Sequence, residues 1–355
     1  MSGAVLYGFH QLKDVFGERL DSINAEEVST AIERSAAEHN RQITALMDLF
    51  AEPTTMYSAR FKSAGNHRLQ PLDENGRALP VKFAGYYDTA FPIRDAGTAW
   101  GANYKSRAKL TVADANRITA EMLKADAVWM RDQMLAALFS SATHTYTDPD
   151  YGALTVQPLA NGDSVTYLRN GAGSASADTH QLATASAIAD VTDPFQTIVD
   201  ELMEHPENSG EAIILVATNN LAAIRGLAAY YPLVDPNITT GANTDTVNGG
   251  PGVQVPGQVV GYHESKAWIV EWKALPDNYA IAVSTGGEKP LRMRQEPEPQ
   301  LQGFHMAAER SDHPYWEEQW VRFAGFGAFN RVGAVVQRFG NGTYAVPTGY
   351  TAPIT

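Results

Sequence analysis

The chain has 355 residues, with 27 Lys and Arg against 40 Asp and Glu for a formal charge of −13, no Cys, 29 Gly, 19 Pro and 44% hydrophobic residues. That length can bury a large core spread over two or three packing units. Zero Cys excludes a disulfide scaffold, thiolate zinc sites, iron–sulfur clusters and a Cys nucleophile, and leaves His, Asp and Glu as the available metal ligands.

Met1–Phe16 lacks the charged and apolar regions of a secretory signal, so export by that route is not expected. The most continuous apolar stretch, Ala212–Ala217, falls far short of the roughly 20 residues that cross a bilayer as a helix, so a soluble protein is expected. The charge is uneven. Residues 1–60 hold 5 basic and 9 acidic residues, residues 61–110 hold 8 and 4, and residues 111–355 hold 14 and 27. A basic segment within an acidic chain suits an element that lies against an acidic surface, its own or a neighbour's; the alternative is a solvated loop with an accidental excess.

In chain order, residues 25–51 predict an amphipathic helix. Asn24 is its N-cap, Glu27 follows three residues later, and Val28, Ile32, His39, Ile43, Leu46 and Phe50 form an apolar stripe that Pro53 terminates. His39 lies on that stripe and reads as a packed histidine. Two extended runs, Met56–Gln70 and Val81–Ile93, are joined by Pro71–Pro80, where Asn75-Gly76 supplies turn chemistry; they predict a long hairpin. Arg60, Lys62, His67 and Arg68 crowd its first strand, so it is expected to project rather than to join a core.

Residues 111–140 predict the longest element, a helix of about 45 Å opened by the capping pair Thr111 and Asp114. Its Met residues read as core filling. Residues 141–190 read as short strands and turns. Next comes an α/β unit: a helix capped by Thr192 and running to about Glu204, a loop at His205–Gly210, a buried strand Ala212–Ala217, and a helix through Leu227 capped by Thr218-Asn219-Asn220. A glycine-rich excursion spans Pro236–Gly257. Extended segments follow at Val259–His263, Ala267–Trp272, Tyr279–Ser284, Pro290–Arg294 and within Trp320–Phe339.

Enzyme motifs are missing. There is no phosphate-binding Gly-x-x-x-x-Gly-Lys-Ser/Thr and no Gly-x-Ser-x-Gly nucleophile elbow. His263-Glu264 lacks a second His at helical offset, and Asp148–Gly152 is too short for a calcium loop. His305, Glu309, Asp312, His313, Glu317 and Glu318 form the one remaining candidate cluster for zinc or acid–base chemistry; its interleaved Tyr315, Trp316 and Trp320 equally suit a subunit contact. No nucleic-acid-binding motif occurs, so contact with nucleic acid is expected to be weak and sequence-blind.

The order of elements, an arm helix, a basic hairpin, a long helix, a central α/β unit and returning strands, resembles the major capsid protein of tailed bacteriophages. That α+β fold is shared with encapsulins and the floor domain of herpesvirus capsid proteins. Glu211–Gly226 resembles its axial-domain strand and following helix, Leu275–Val283 with Lys289–Arg294 its late strand pair, and Arg331–Val336 its closing strand. The resemblance implies an N-terminal arm at 1–54, an extended-loop hairpin at 55–107, a peripheral domain with its spine helix at 108–190, an axial domain at 191–286, and strands of the peripheral domain returning at 287–355.

It further implies a non-enzymatic shell protein that assembles into hexamers and pentamers of an icosahedral capsid around double-stranded DNA. Cofactors and metals are not expected. The implied partners are further copies of the chain, portal and scaffolding proteins and a decoration protein, with only non-specific contact with packaged DNA and no membrane. The implied location is the virion capsid, assembled in the host cytoplasm. Candidate assembly contacts are Arg60, Lys62, Arg68, Arg77, Lys82 and Arg94. Some members of the family weld neighbours through a Lys of the extended loop. Lys62 and Lys82 lie there, but no matching motif accompanies them. The alternatives are an encapsulin-like compartment shell, usually shorter and without so extensive an arm, and a soluble oligomeric enzyme using His305 and His313.

Overall fold

A computed structural model of the protein describes residues 17, 25–62, 71–77, 86–171, 173–176, 178–233, 251–310 and 315–354. The chain divides into two compact units. The first comprises Met1–Ala45, Ile93–Gln133 and Arg294–Gly325, and the second Leu46–Pro92, Met134–Met293 and Phe326–Thr355.

In the first unit two helices and a sheet share an apolar seam. The first helix is Ala25–Met47; its expected N-cap, Asn24, lies outside the described residues. The long helix is Val112–Phe139, and its start is the reciprocal capping box that the sequence predicts. Asp114 N donates to Thr111 Oγ1 at 3.3 Å while Thr111 N donates to the Asp114 carboxylate at 3.2 Å. Ala115, Met122 and Asp126, spaced by seven and four, place one buried stripe on this helix. Ala36, Met122, Phe304 and Trp320 form the core of the seam, with Ile32, Trp100, Ile118, Leu123 and Met306 packed around it.

The sheet of this unit holds a strand in a stretch of the 55–107 segment for which the sequence predicts no separate element. Arg94–Asn103 alternates half-buried and exposed residues along its whole length and pairs antiparallel with the Tyr315–Ala328 strand, from Arg94 opposite Ala324 to Asn103 opposite Tyr315. Its apolar positions are mostly Ala and Gly, which carry little periodic signal. His305–Arg310 pairs with the same long strand, also antiparallel.

In the second unit a seven-stranded sheet runs in the order Tyr230–Pro232, Gln258–His263, Ala267–Glu271, Asn208–Val216, Tyr279–Gly287, Ala334–Phe339, Gln181–Thr184. The central strand is parallel to Ala267–Glu271 and antiparallel to Tyr279–Gly287. Ala212–Val216 are fully buried, as a strand covered on both faces requires, and this is why the sequence there is an unbroken apolar run. The helix Phe195–Met203 packs Phe195, Ile198, Val199 and Leu202 into the same core as Ile214, Val216, Ile269 and Phe339.

Several expected boundaries move. The first helix stops at Met47 well before Pro53, which instead lies in the short strand Ala51–Thr54. Thr192 does not cap the Phe195 helix. Its hydroxyl donates to Ala187 O at 2.6 Å, and Asp193 accepts from Phe195 N at 2.9 Å; a carboxylate is the better acceptor at a helix start. Thr218 likewise makes no cap and donates instead to Glu271. Residues 234–250, most of the expected glycine-rich excursion, lie outside the described residues.

Candidate functional sites

The base of the predicted hairpin forms by antiparallel pairing of Ser58–Lys62 with Tyr86–Ala90, and at its far turn Gly76 takes φ +73°. There the Asp73 carboxylate accepts the backbone N–H groups of Asn75 at 2.9 Å and Arg77 at 2.7 Å, and Gly76 supplies the left-handed residue that a side chain would disfavour.

The two faces of the base differ. Outward, Arg60 forks onto both oxygens of Asp88, at 2.6 and 2.7 Å, and lies over the Tyr86 ring. Asp88 is held below the usual carboxylate range by this hydrogen bond, and Arg60 is raised by the same contact. Inward, Phe61 stacks on Tyr87 and meets Phe329 edge-on, and Phe61, Tyr87, Tyr167, Ala160 and Val332 form a buried cluster. The expectation that the hairpin stands clear of any core therefore needs correction at its base. Alternate residues, Phe61 on one strand and Tyr87 and Thr89 on the other, point inward, and the charged residues between them mask that alternation in the sequence.

Arg331 locks this base. It is fully buried and donates to Pro158 O at 2.6 Å, Asp163 at 2.8 Å, Asn161 Oδ1 at 3.1 Å and Leu159 O at 3.3 Å. Its guanidinium lies over the rings of Tyr87 and Tyr167, its backbone N–H donates to Tyr87 Oη, and Tyr87 Oη in turn donates to Phe329 O. Gly327 permits the approach, since a Cβ there would sit 2.7 Å from Ala90 O.

The expected assembly residues divide as follows. Arg60 sits on the outward face, Arg77 is exposed at the turn, and Arg94 is half-buried at the start of its strand. Lys62 ends the first hairpin strand. Arg68 and Lys82 lie outside the described residues.

Among the described residues, His305, Glu309, Glu317 and Glu318 are not gathered into a metal site. His305 has Nδ1 on Gly303 O at 3.1 Å, Glu309 stands opposite Glu318 in register, and Glu318 accepts from Trp100 Nε1 at 2.8 Å and Trp320 Nε1 at 3.4 Å. Asp312 and His313 lie outside the described residues.

A different cluster, outside the candidates predicted from the sequence, is buried in the second unit. His180 and His205 face each other with Nε2 atoms 3.1 Å apart, and Asp178 Oδ2 is 3.2 Å from His205 Nε2. Glu204 Oε1 is 3.6 Å from the same nitrogen, and Arg169 reaches both Asp178 and Glu204. His180 is pushed down to about 3, by burial first and then by His205 beside it. Burial also opposes a charge on His205, but hydrogen bonds to Asp178 and Leu168 O outweigh it and raise that ring. Asp178, resisting burial through its contacts with the histidines and Glu201, is held well below the carboxylate range, whereas burial and Asp178 push Glu201 up. The signal was in the spacing. Asp178-x-His180 puts two donors on one side of an extended segment, and Glu201-x-x-Glu204-His205 puts three on one side of a helix end.

No protein-family model matches the sequence, and no curated protein does. Solved structures do match. One from Mycobacterium phage Patience aligns over 100% of this chain and 99% of its own, with TM-score 0.69 and 20% identity. The capsid of a native GTA particle aligns over 84% and 91%, with TM-score 0.48 and 11% identity. The capsid of the cyanophage P-SCSP1u aligns over 82% and 86%, with TM-score 0.49 and 9% identity. The chain has the major capsid protein fold of tailed phages. Among the described residues, no helix is long and apolar enough to cross a membrane.

Proposed function

We propose that the chain is the major shell subunit of a tailed-phage capsid, assembling into hexamers and pentamers of an icosahedral particle that encloses double-stranded DNA. The observation that carries this reading is the end-to-end alignment with the Mycobacterium phage Patience structure, which includes the hairpin and arm regions as well as the central sheet. The role is structural rather than catalytic, and the protein resides in the virion capsid after assembly in the host cytoplasm.

In this reading residues 1–54 are the N-terminal arm, 55–107 the extended loop, 108–190 and 287–355 the peripheral domain, and 191–286 the axial domain. The basic loop, through Arg60, Lys62, Arg68, Arg77, Lys82 and Arg94, lies over the acidic body of an adjacent copy. The fit is electrostatic, because residues 61–110 carry a net +4 and the rest of the chain is acidic. Portal, scaffolding and decoration proteins are the further partners, and contact with the packaged DNA is non-specific.

Negative-stain microscopy with light scattering on the purified chain tests the reading. Rings or closed particles of megadalton mass are the expected result; a small oligomer that persists under all salt conditions would overturn it.

A further inference from the structure

The Asp178–His180–His205 centre has the geometry of a metal site. His180 Nδ1 lies 2.9 Å from Ala334 O and His205 Nδ1 lies 2.7 Å from Leu168 O. Both rings therefore donate from Nδ1 and turn Nε2 inward, the arrangement by which a backbone carbonyl fixes the tautomer of a metal-bound histidine. Two such nitrogens 3.1 Å apart call for a positive charge between them, either a proton on one Nε2 or a metal ion.

Distances agree. Two donors held about 2.0–2.1 Å from a tetrahedral zinc ion lie about 3.3–3.4 Å from each other, close to the 3.1 Å between the imidazoles and the 3.2 Å from His205 Nε2 to Asp178 Oδ2. The three ligand atoms all lie within 4.8 Å of one another. His180 and His205 are fully buried and Asp178 is 3% exposed. Asp178 Oδ2 is buried without an aligned hydrogen-bond donor and lies 3.2 Å from His205 Nε2. Charge agrees too: Asp178, Glu201 and Glu204 surround a centre where Arg169 is the one permanently charged cation among the described residues that contact it.

We propose that Asp178, His180 and His205 bind one divalent transition-metal ion, zinc by the chemistry of its donors. The ion would tie the segment leading into the Gln181–Thr184 edge strand to the C-terminal end of the Phe195–Met203 helix.

Metal analysis and thermal unfolding of the full chain test this. Chelator-stripped protein given zinc and desalted is expected to retain about one ion per chain and to melt several degrees above the stripped form. Cobalt in place of zinc is expected to give the absorption of a tetrahedral site. H180N and H205N are each expected to weaken retention at least about tenfold. Wild-type protein that retains no zinc or cobalt, and melts identically with and without them, would overturn the proposal, as would full retention by a folded H180N/H205N double variant. The wild-type arm does not depend on the variants folding.

Discussion

Arg322 forks onto both carboxylate oxygens of Asp126, with the two side chains 3% and 2% exposed. His39 Nε2 meets the same carboxylate at 2.8 Å, and Asn40 accepts from Arg322 at 2.7 Å while exchanging hydrogen bonds with the Phe304 backbone. The first helix, the long helix and the Tyr315–Ala328 strand thus meet on one satisfied polar knot inside an apolar seam. Breaking such a buried pair by removing one partner costs about 3–5 kcal/mol, whereas replacing both with apolar residues of similar volume is close to neutral. Chemical denaturation is therefore expected to show R322M strongly destabilised, and D126L/R322M recovering most of the loss. A double variant as unstable as the single one would show that His39 and Asn40 depend on the charges themselves.

The same carboxylate sets an acid response. Burial alone would raise Asp126, but hydrogen bonds from His39 and Arg322 more than offset it and hold the group below its ordinary value. With the folded-state pKa depressed, its stabilising contribution is complete above the unfolded-state value of about 3.9 and is lost as pH falls through the folded value. Denaturation midpoints measured from pH 6 downward should therefore fall more steeply for the wild type than for D126N in the region below about pH 4. Equal slopes would mean that other carboxylates dominate acid unfolding.

Arg331 is a second buried hub, and its partners differ in kind. Three of its four acceptors are neutral: the carbonyls of Pro158 and Leu159 and the side-chain oxygen of Asn161. R331M leaves these and the Asp163 carboxylate without their donor, at about 3 kcal/mol or more. R331K keeps the charge but lacks the planar fork that spans several acceptors, so it is expected to rescue only a small part of the loss. Urea denaturation of both variants measures the difference. Near-complete rescue by lysine would assign the role to charge rather than to the fork.

What the sequence disclosed follows from how each signal is encoded. The long helix and the strand Ala212–Val216 were legible because burial wrote a continuous pattern there, helical in one and unbroken in the other. The strand Arg94–Asn103 was not, because Ala and Gly fill positions where a backbone pairs closely and little side chain is buried. The inward face of the hairpin was hidden for a different reason: Phe61 follows Arg60 and precedes Lys62, so composition reads as charge while alternation sends only the ring inward. The caps failed at Thr192 and Thr218 because neighbouring acceptors, Ala187 O and Glu271, captured both hydroxyls. The histidine centre joins residues from separate segments, and only the fold brings those segments together. His39 is a packed residue, as its place on the apolar stripe predicts, although its carboxylate partner in the long helix is 87 positions away.

The proposed assembly role of the hairpin can be separated from its part in folding by two variants. Its base belongs to the core of its unit through Phe61, Tyr87 and Thr89, while its turn at Asp73–Arg77 is exposed and held by its own hydrogen bonds. Replacing residues 66–82 with a short Asn-Gly turn shortens the loop and removes Arg68, Arg77 and Lys82. It touches none of the buried aromatic residues of the base. Circular dichroism is expected to show a cooperative melt close to that of the wild type, and light scattering is expected to show no particles. F61A should do the reverse. It opens a cavity in the Tyr87–Tyr167–Val332 cluster and costs about 3–5 kcal/mol, yet the chain that remains folded at low temperature keeps the basic loop and is expected to assemble. If the loop replacement instead aggregates on expression as a core variant does, the turn region belongs to the folding core and the basic loop is not an assembly arm. If it folds and still forms particles, shell contacts lie elsewhere on the chain.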